Sequence, residues 1–284
     1  MQLNNIGKWK VYALDTGFFS LDGGAMMGSV PKVLWDKTNP SDSENRIELA
    51  LRCLLVDDGE NVVLIESGIG NTYPAKFKKM FNIKQHENTL SYTLNKYGYS
   101  IENITHMVLT HLHFDHAGGA VFFNDNNELV PTFPNAKYYI SEDNWNAGLN
   151  PSPRDSASYL QEIYLPLKDA GVLHIIPENS NIIKGIDTYV VHGHTTGQQL
   201  IKVSDQETMV FCSDLIPLKS HLKIPWIMGY DLNASLTLKE KEKFLDLASD
   251  NNWLLFFYHD PKTVAVKIKK TEKYYEVIEK YERR

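Results

Sequence analysis

The chain has 284 residues, 43% hydrophobic and 23% charged, with a formal net charge of −6, the balance of an ordinary globular protein. At this length a fold buries roughly three quarters of its unfolded surface and needs no disulfide staples, so Cys53 and Cys212, both in apolar runs, read as buried free thiols. The chain carries no basic block to hold nucleic acid, no apolar run long enough for a membrane span and no apolar leader in "MQLNNIGKWK", so the cytoplasm is the expected compartment.

Residues 8–19 predict a strand. Residues 20–47, rich in Gly, Pro, Asp and Asn, predict an N-terminal loop. Met26 and Met27, set among Gly23, Gly24 and Gly28, are expected to be exposed there as an adaptable flap over substrate or as a dimer contact. "IELALRCLLVDDGENVVLIESG" predicts a hairpin turned at "DDGEN". A helix is expected over 89–97, closed by Gly98. "THMVLT" (105–110) is a short buried strand that runs straight into "HLHFDHAGG". "KYYI" (137–140) reads as a strand, Ser141 as a helix start, and 159–170 as helical. "IDTYVVHGH", "QQLIKVS" and "ETMVFCSD" are three successive strands, 236–247 is an amphipathic helix, and "NWLLFFYHD", "TVAVKIK" and the tail from 273 are further strands. Strands clustered toward both ends with helices between them imply an α/β fold of two sheets covered by helices. Without repeats or linkers, residues 1–284 are expected to form one domain.

His111, His113, Asp115 and His116 place three imidazoles and a carboxylate in one short turn. Charged imidazoles at that spacing would repel one another, and an ion that binds them neutral removes the cost. In an extended segment His111 and His113 share a face, while Asp115 and His116 follow on a turn where they can address a second ion. One loop cannot close two coordination shells. The ends of apolar runs supply further candidates: His194 after "VVHG", Asp214 after "VFCS" and His259 after "LLFFY".

This pattern, H-x-H-x-D-H followed by Gly193–His194–Thr195, Asp214 and His259, resembles the metallo-β-lactamase superfamily of binuclear metallohydrolases. "LDGGAMMGSVPKVLW", "HLHFDHAGG", "SDLIP", "PWIMGYD" and "FYHD" are also similar to its YtnP-like quorum-quenching lactonase branch, a likeness that makes residues 20–47 an entry loop. The resemblance implies a four-layer αββα sandwich with two divalent ions at one edge. Zinc is foremost; iron, manganese and cobalt suit the same donors. His111, His113 and His194 would hold the first ion, Asp115, His116 and His259 the second, and Asp214 would bridge them. Asp115 and Asp214 would then be catalytic, with a bridging hydroxide. Glu66-Ser67-Gly68 stands where the family carries Asp-x-Gly, so Glu66 is the candidate to orient a ligand from behind. Pro217 stands where many acyl-homoserine lactonases carry a tyrosine. His221, Tyr230, Met27 and Phe114 are the candidates for substrate contact, and Trp35, Trp145 and Trp226 for the pocket or the core.

The implied activity is opening of lactones or esters, N-acyl-homoserine lactones first, on a small-molecule substrate and in a homodimer. A phosphotriesterase-like or thioesterase hydrolase would use the same centre, and a non-catalytic binder is the remaining alternative. A type II glyoxalase is disfavoured by the short segment after Asp214, and redox members by His113, where they carry Glu.

Overall fold

The computed structural model describes residues 1–85 and 89–283. Among the described residues, fifteen strands are laid out in order. β1 (Lys10–Asp22), β2 (Arg46–Asp57), β3 (Val62–Ile65), β4 (His106–Val108), β7 (Lys137–Ser141) and β8 (Leu173–Ile176) form a six-stranded sheet in the order β1-β2-β3-β4-β7-β8. β9 (Asn181–Ile183), β10 (Ile186–Val191), β11 (Gln198–Ser204), β12 (Thr208–Phe211), β13 (Leu254–Phe256), β14 (Thr263–Lys270) and β15 (Tyr275–Glu282) form a seven-stranded sheet in the reverse of chain order. β5 (Val121–Phe123) and β6 (Leu129–Pro131) make a separate hairpin.

The helices are α1 (Gly23–Met27), α2 (Lys32–Trp35), α3 (Ala75–Met80), α4 (Thr89–Asn95), α5 (Phe114–Ala117), α6 (Glu142–Leu149), α7 (Leu165–Asp169) and α8 (Ala234–Asp250). α4 and α6 lie on the six-stranded sheet, and α8 lies on the seven-stranded one. This is the expected αββα arrangement.

Period-two alternation explains the layering. In β12 and β13, Met209, Phe211, Leu254 and Phe256 face the core between the sheets. Val210 and Leu255, with Cys212 and Phe257 just beyond the strand ends, face α8 instead. α8 answers with a buried stripe of Thr237, Lys241, Phe244, Leu245 and Ala248, the spacing of one helix face. Both cysteines are buried free thiols, and among the described residues no helix is long and apolar enough to cross a membrane.

Topology brings the functional strand ends together. β3 and β4 run parallel, so Glu66 and the histidine turn leave at the same edge. β12 and β13 also run parallel, and two antiparallel pairings return β10 to the direction of β12. The exits of β10, β12 and β13 therefore deliver His194, Asp214 and His259 to one side.

Several expectations change. Residues 20–47 are not a continuous loop: β1 extends to Asp22, whose side chain caps α1 by accepting from the Ala25 amide, α2 follows, and β2 begins at Arg46. Met26 and Met27 are buried, at 2% and 0% exposure, not exposed as a flap. They join the core through α1, with Trp35 packed close to Gly23. The helix expected over 159–170 is a 3-10 turn (Gln161–Ile163) followed by α7, divided where Pro166 lacks an amide to continue the ladder. Ser141 caps α6 by accepting from the Asn144 amide, and the tail forms β15. His86 lies outside the described residues.

Candidate metal centre

β4 ends at Val108 and the chain runs extended to His113 before turning into α5. The extended stretch puts the His111 and His113 rings 4.4 Å apart, and the turn then swings Asp115 and His116 toward the opposite sheet. Close packing makes this turn possible: a Cβ on Gly118 would lie 2.2 Å from the Ile69 carbonyl oxygen. At the other strand end, a Cβ on Gly193 would meet the Thr237 hydroxyl at 2.3 Å, so glycine lets the His194 turn lie against the start of α8.

Seven side chains converge. His111 Nε2 lies 3.0 Å from His113 Nδ1, and His194 Nε2 lies 3.3 Å from the same nitrogen. Asp115 Oδ2 lies 3.7 Å from His116 Nε2 and 3.5 Å from His259 Nε2. Asp214 stands between the two trios. Its Oδ1 is 3.5 Å from His116 Nε2 and 3.3 Å from His259 Nε2, while its Oδ2 is 3.4 Å from His194 Nε2. Each trio offers one ligand atom per residue within 4.8 Å of the others. His116 Nε2 and Asp214 Oδ1 are buried without a hydrogen-bond partner, which is costly unless something else satisfies them. A set of imidazole nitrogens and carboxylate oxygens with orphaned atoms turned inward fits a pair of divalent cations.

The electrostatics agree. Burial, reinforced by the neighbouring His116, holds His111 well below the usual imidazole range, and burial together with His194 does the same for His113; both are neutral and free to ligate. Burial works against charging His116, but Asp115, Asp214 and Glu66 outweigh it and push its pKa well up. Burial likewise opposes ionisation of Asp214, yet His116 and His259 hold it well below the carboxylate range. The carboxylates thus demand positive charge at the spot where the orphaned atoms meet.

Behind these seven side chains lies a second layer that the sequence showed in part. Glu66, held at φ 67°, accepts from the Thr110 amide at 3.0 Å and places Oε1 3.5 Å from His116 Nδ1. The Thr110 hydroxyl contacts His111 Nδ1 at 3.0 Å and the Ser213 hydroxyl at 2.7 Å. His259 Nδ1 meets the Ala50 carbonyl at 3.0 Å. Sequence reasoning missed Asp231, whose Oδ1 lies 2.8 Å from His194 Nδ1. Its signal is the aspartate that closes "PWIMGYD", next to Tyr230. Also missed was Glu240, whose two oxygens accept from the His192 and Gly193 amides and so fix the approach to His194.

Of the substrate-contact candidates, Tyr230 is 39% exposed; desolvation, then the charges of Asp22 and Asp115, push its hydroxyl up to about 12. His221 is buried with Nε2 3.0 Å from the Met26 carbonyl and Nδ1 unpartnered. Burial, then Lys241, pushes it down to about 3, so it is neutral. Phe114 packs in an aromatic cluster with Tyr73, Phe77 and Phe81, and Met27 is in the core. Trp35, Trp145 and Trp226 are core residues as well. His192 is not among the seven: it faces Glu178 at the surface, and its Nδ1 accepts from the Gly197 amide.

A family profile described as the metallo-beta-lactamase superfamily matches residues 51–259. The chain belongs to that superfamily. It is 23% identical over 228 residues to an N-acyl homoserine lactonase of a Bacillus species, covering 75% of this chain and 82% of that one. A probable metal-dependent hydrolase from Staphylococcus aureus superposes with a TM-score of 0.90 at 26% identity, covering 99% of both chains. AidC, a dizinc quorum-quenching lactonase, superposes at 0.80 with 21% identity, covering 99% of this chain and 97% of that one.

Proposed function

We propose that this member of the superfamily opens the ester bond of lactones, N-acyl homoserine lactones foremost, at a two-cation centre. His111, His113 and His194 would hold one cation, Asp115, His116 and His259 the other, and Asp214 would be shared between them, with zinc the first choice of metal. The observation that carries this reading is the division of Asp214: one carboxylate oxygen faces His116 and His259 and the other faces His194. Two bound cations would supply Lewis acidity toward a carbonyl oxygen and a strongly acidified water.

The chain's own groups supply the rest. Asp214 has both oxygens engaged. Asp115 turns Oδ2 toward His116 and His259, and its other oxygen takes the proton that the attacking water loses and passes it to the leaving alkoxide. Tyr230, 39% exposed and next to Asp231, contacts the substrate in place of the tyrosine that Pro217 replaces, whereas His221, Phe114 and Met27 are buried and offer it no open surface. The lactonase relatives support the lactone over other esters. α2 exposes Val33 and Leu34, which suits a homodimer contact.

The test is ring opening by the purified, zinc-loaded chain, followed by proton release on a panel of acyl-homoserine lactones, aryl esters, thioesters and phosphotriesters, with and without chelator. Chelator-sensitive turnover fastest on lactones is expected. Turnover fastest on phosphotriesters or thioesters would move the substrate class, and tight lactone binding without turnover would make the chain a binder.

A further inference from the structure

The turn that carries His259 is the connection from β13 to β14, and it is gripped by a residue with no place in the metal chemistry described so far. Arg52, in the middle of β2, is fully buried. Its Nη1 lies 2.7 Å from the Asp260 carbonyl, 3.2 Å from that of Phe257 and 3.3 Å from that of Thr263. These carbonyls flank His259 on both sides. They lie where the chain leaves one strand and enters the next, so the sheet ladder does not take them up as it does in mid-strand. Around the same turn the Arg52 amide donates to the Tyr258 carbonyl at 3.3 Å and the Ala50 amide to the His259 carbonyl at 2.9 Å. His259 Nδ1 returns to the Ala50 carbonyl at 3.0 Å. The six-stranded sheet thus reaches across and holds a turn that belongs to the seven-stranded one.

A buried cation is an expensive way to fill a core, and apolar replacements of buried ion pairs are often no less stable. Three convergent carbonyls explain why a guanidinium stands here. Its charge and direction are set by Asp15, directly opposite Arg52 in the β1–β2 register, whose Oδ1 takes Nε at 3.0 Å. The other oxygen of Asp15 takes Arg283 Nε at 3.0 Å. His194, by contrast, is held by Asp231 and the segment leading into α8, so the two halves of the centre have separate supports.

We propose that Arg52, aimed by Asp15, is a positioning residue for the second cation site: it fixes the His259 turn so that Nε2 is presented to Asp115 and Asp214. This rests on the two-cation reading of the seven side chains. The selective prediction is that Arg52 governs one zinc equivalent and leaves the other alone.

The experiment is calorimetric titration of zinc into the metal-free full-length chain for wild type, Arg52→Met, Arg52→Lys, Asp15→Asn and Asp231→Asn, with melting curves of each metal-free protein. Wild type is expected to take up two equivalents. Arg52→Met is expected to weaken one of them ten- to a hundredfold, the range of outer-layer substitutions at metal sites. Arg52→Lys, which keeps the charge and loses the fork, recovers part of that, and Asp15→Asn weakens the same equivalent less. Asp231→Asn is expected to weaken the other equivalent. Should Arg52→Met fail to fold, Arg52→Lys and Asp15→Asn carry the test. Two equivalents of wild-type affinity in those variants, or equal weakening of both equivalents, overturns the positioning role while the two-cation reading stands. Fewer than two equivalents in wild type overturns both.

Discussion

Replacing Asp231 by alanine tests whether the first trio is held from behind. Its Oδ1 lies 2.8 Å from His194 Nδ1, and both side chains are buried, so water cannot substitute for the lost acceptor. A hydrogen bond to a charged group is worth about 1.5–3 kcal/mol net, and about 1.4 kcal/mol is tenfold in affinity. The first zinc equivalent is therefore expected to weaken roughly ten- to a hundredfold, with the imidazole free to rotate. Asp231→Asn keeps an oxygen for Nδ1 and loses the charge, so it is expected to weaken the same equivalent by about tenfold or less. Zinc titration of the metal-free proteins reads the effect directly, and lactone turnover at saturating zinc reads what remains of the geometry. Unchanged affinity for both equivalents in Asp231→Ala, in a protein that melts like wild type, would refute the argument that this carboxylate orients His194.

Asp214→Ala removes the donor shared by both trios, and is expected to lose at least one zinc equivalent by calorimetry and to lower lactone opening at least a hundredfold. Gly193→Ala forces a Cβ to within 2.3 Å of the Thr237 hydroxyl and is expected to cost about 1–3 kcal/mol by overpacking, read by urea unfolding. Lys241 gives a pH signature. It is buried, donating to the Trp226 and Lys223 carbonyls, and burial, partly offset by Asp231, pushes it down to about 7. Between that value and the ordinary lysine range the unfolded chain binds the extra proton, so stability rises with pH there and is lost as pH falls toward 7. Relative to Lys241→Met, wild type is expected to gain about 1.4 kcal/mol per pH unit between pH 8 and 9, and a flat difference in urea unfolding would contradict it. Chelation is expected to lower the melting temperature, since a ligand that binds only the folded chain at a thousand times its Kd contributes about 4 kcal/mol.

The centre was the most legible part of the chain because metal ligation demands residue types that apolar strand ends otherwise avoid: His194, Asp214 and His259 each interrupt a hydrophobic run. Asp231 and Arg52 were not legible, since a buried carboxylate or guanidinium is written with the same letters as a solvated one, and what it bonds depends on a partner dozens of residues away. The segment over 20–47 misled for a related reason. Its glycines suggest an exposed loop, but Gly23 is needed for close approach to Trp35, and a Cβ there would lie 2.5 Å from the ring. The long strands were visible from alternation and the DDGEN turn, whereas β5, β6, β8 and β9, of three or four residues each, are too short to show a period.

The spread of the seven donors along the chain has a kinetic corollary. Only the stretch from His111 to His116 offers neighbours that could seize an ion before the fold exists; the other three donors arrive from strands that must first assemble across the whole polypeptide, and such distant pairings form late. In the two-cation reading the complete donor set therefore exists only once both sheets have come together.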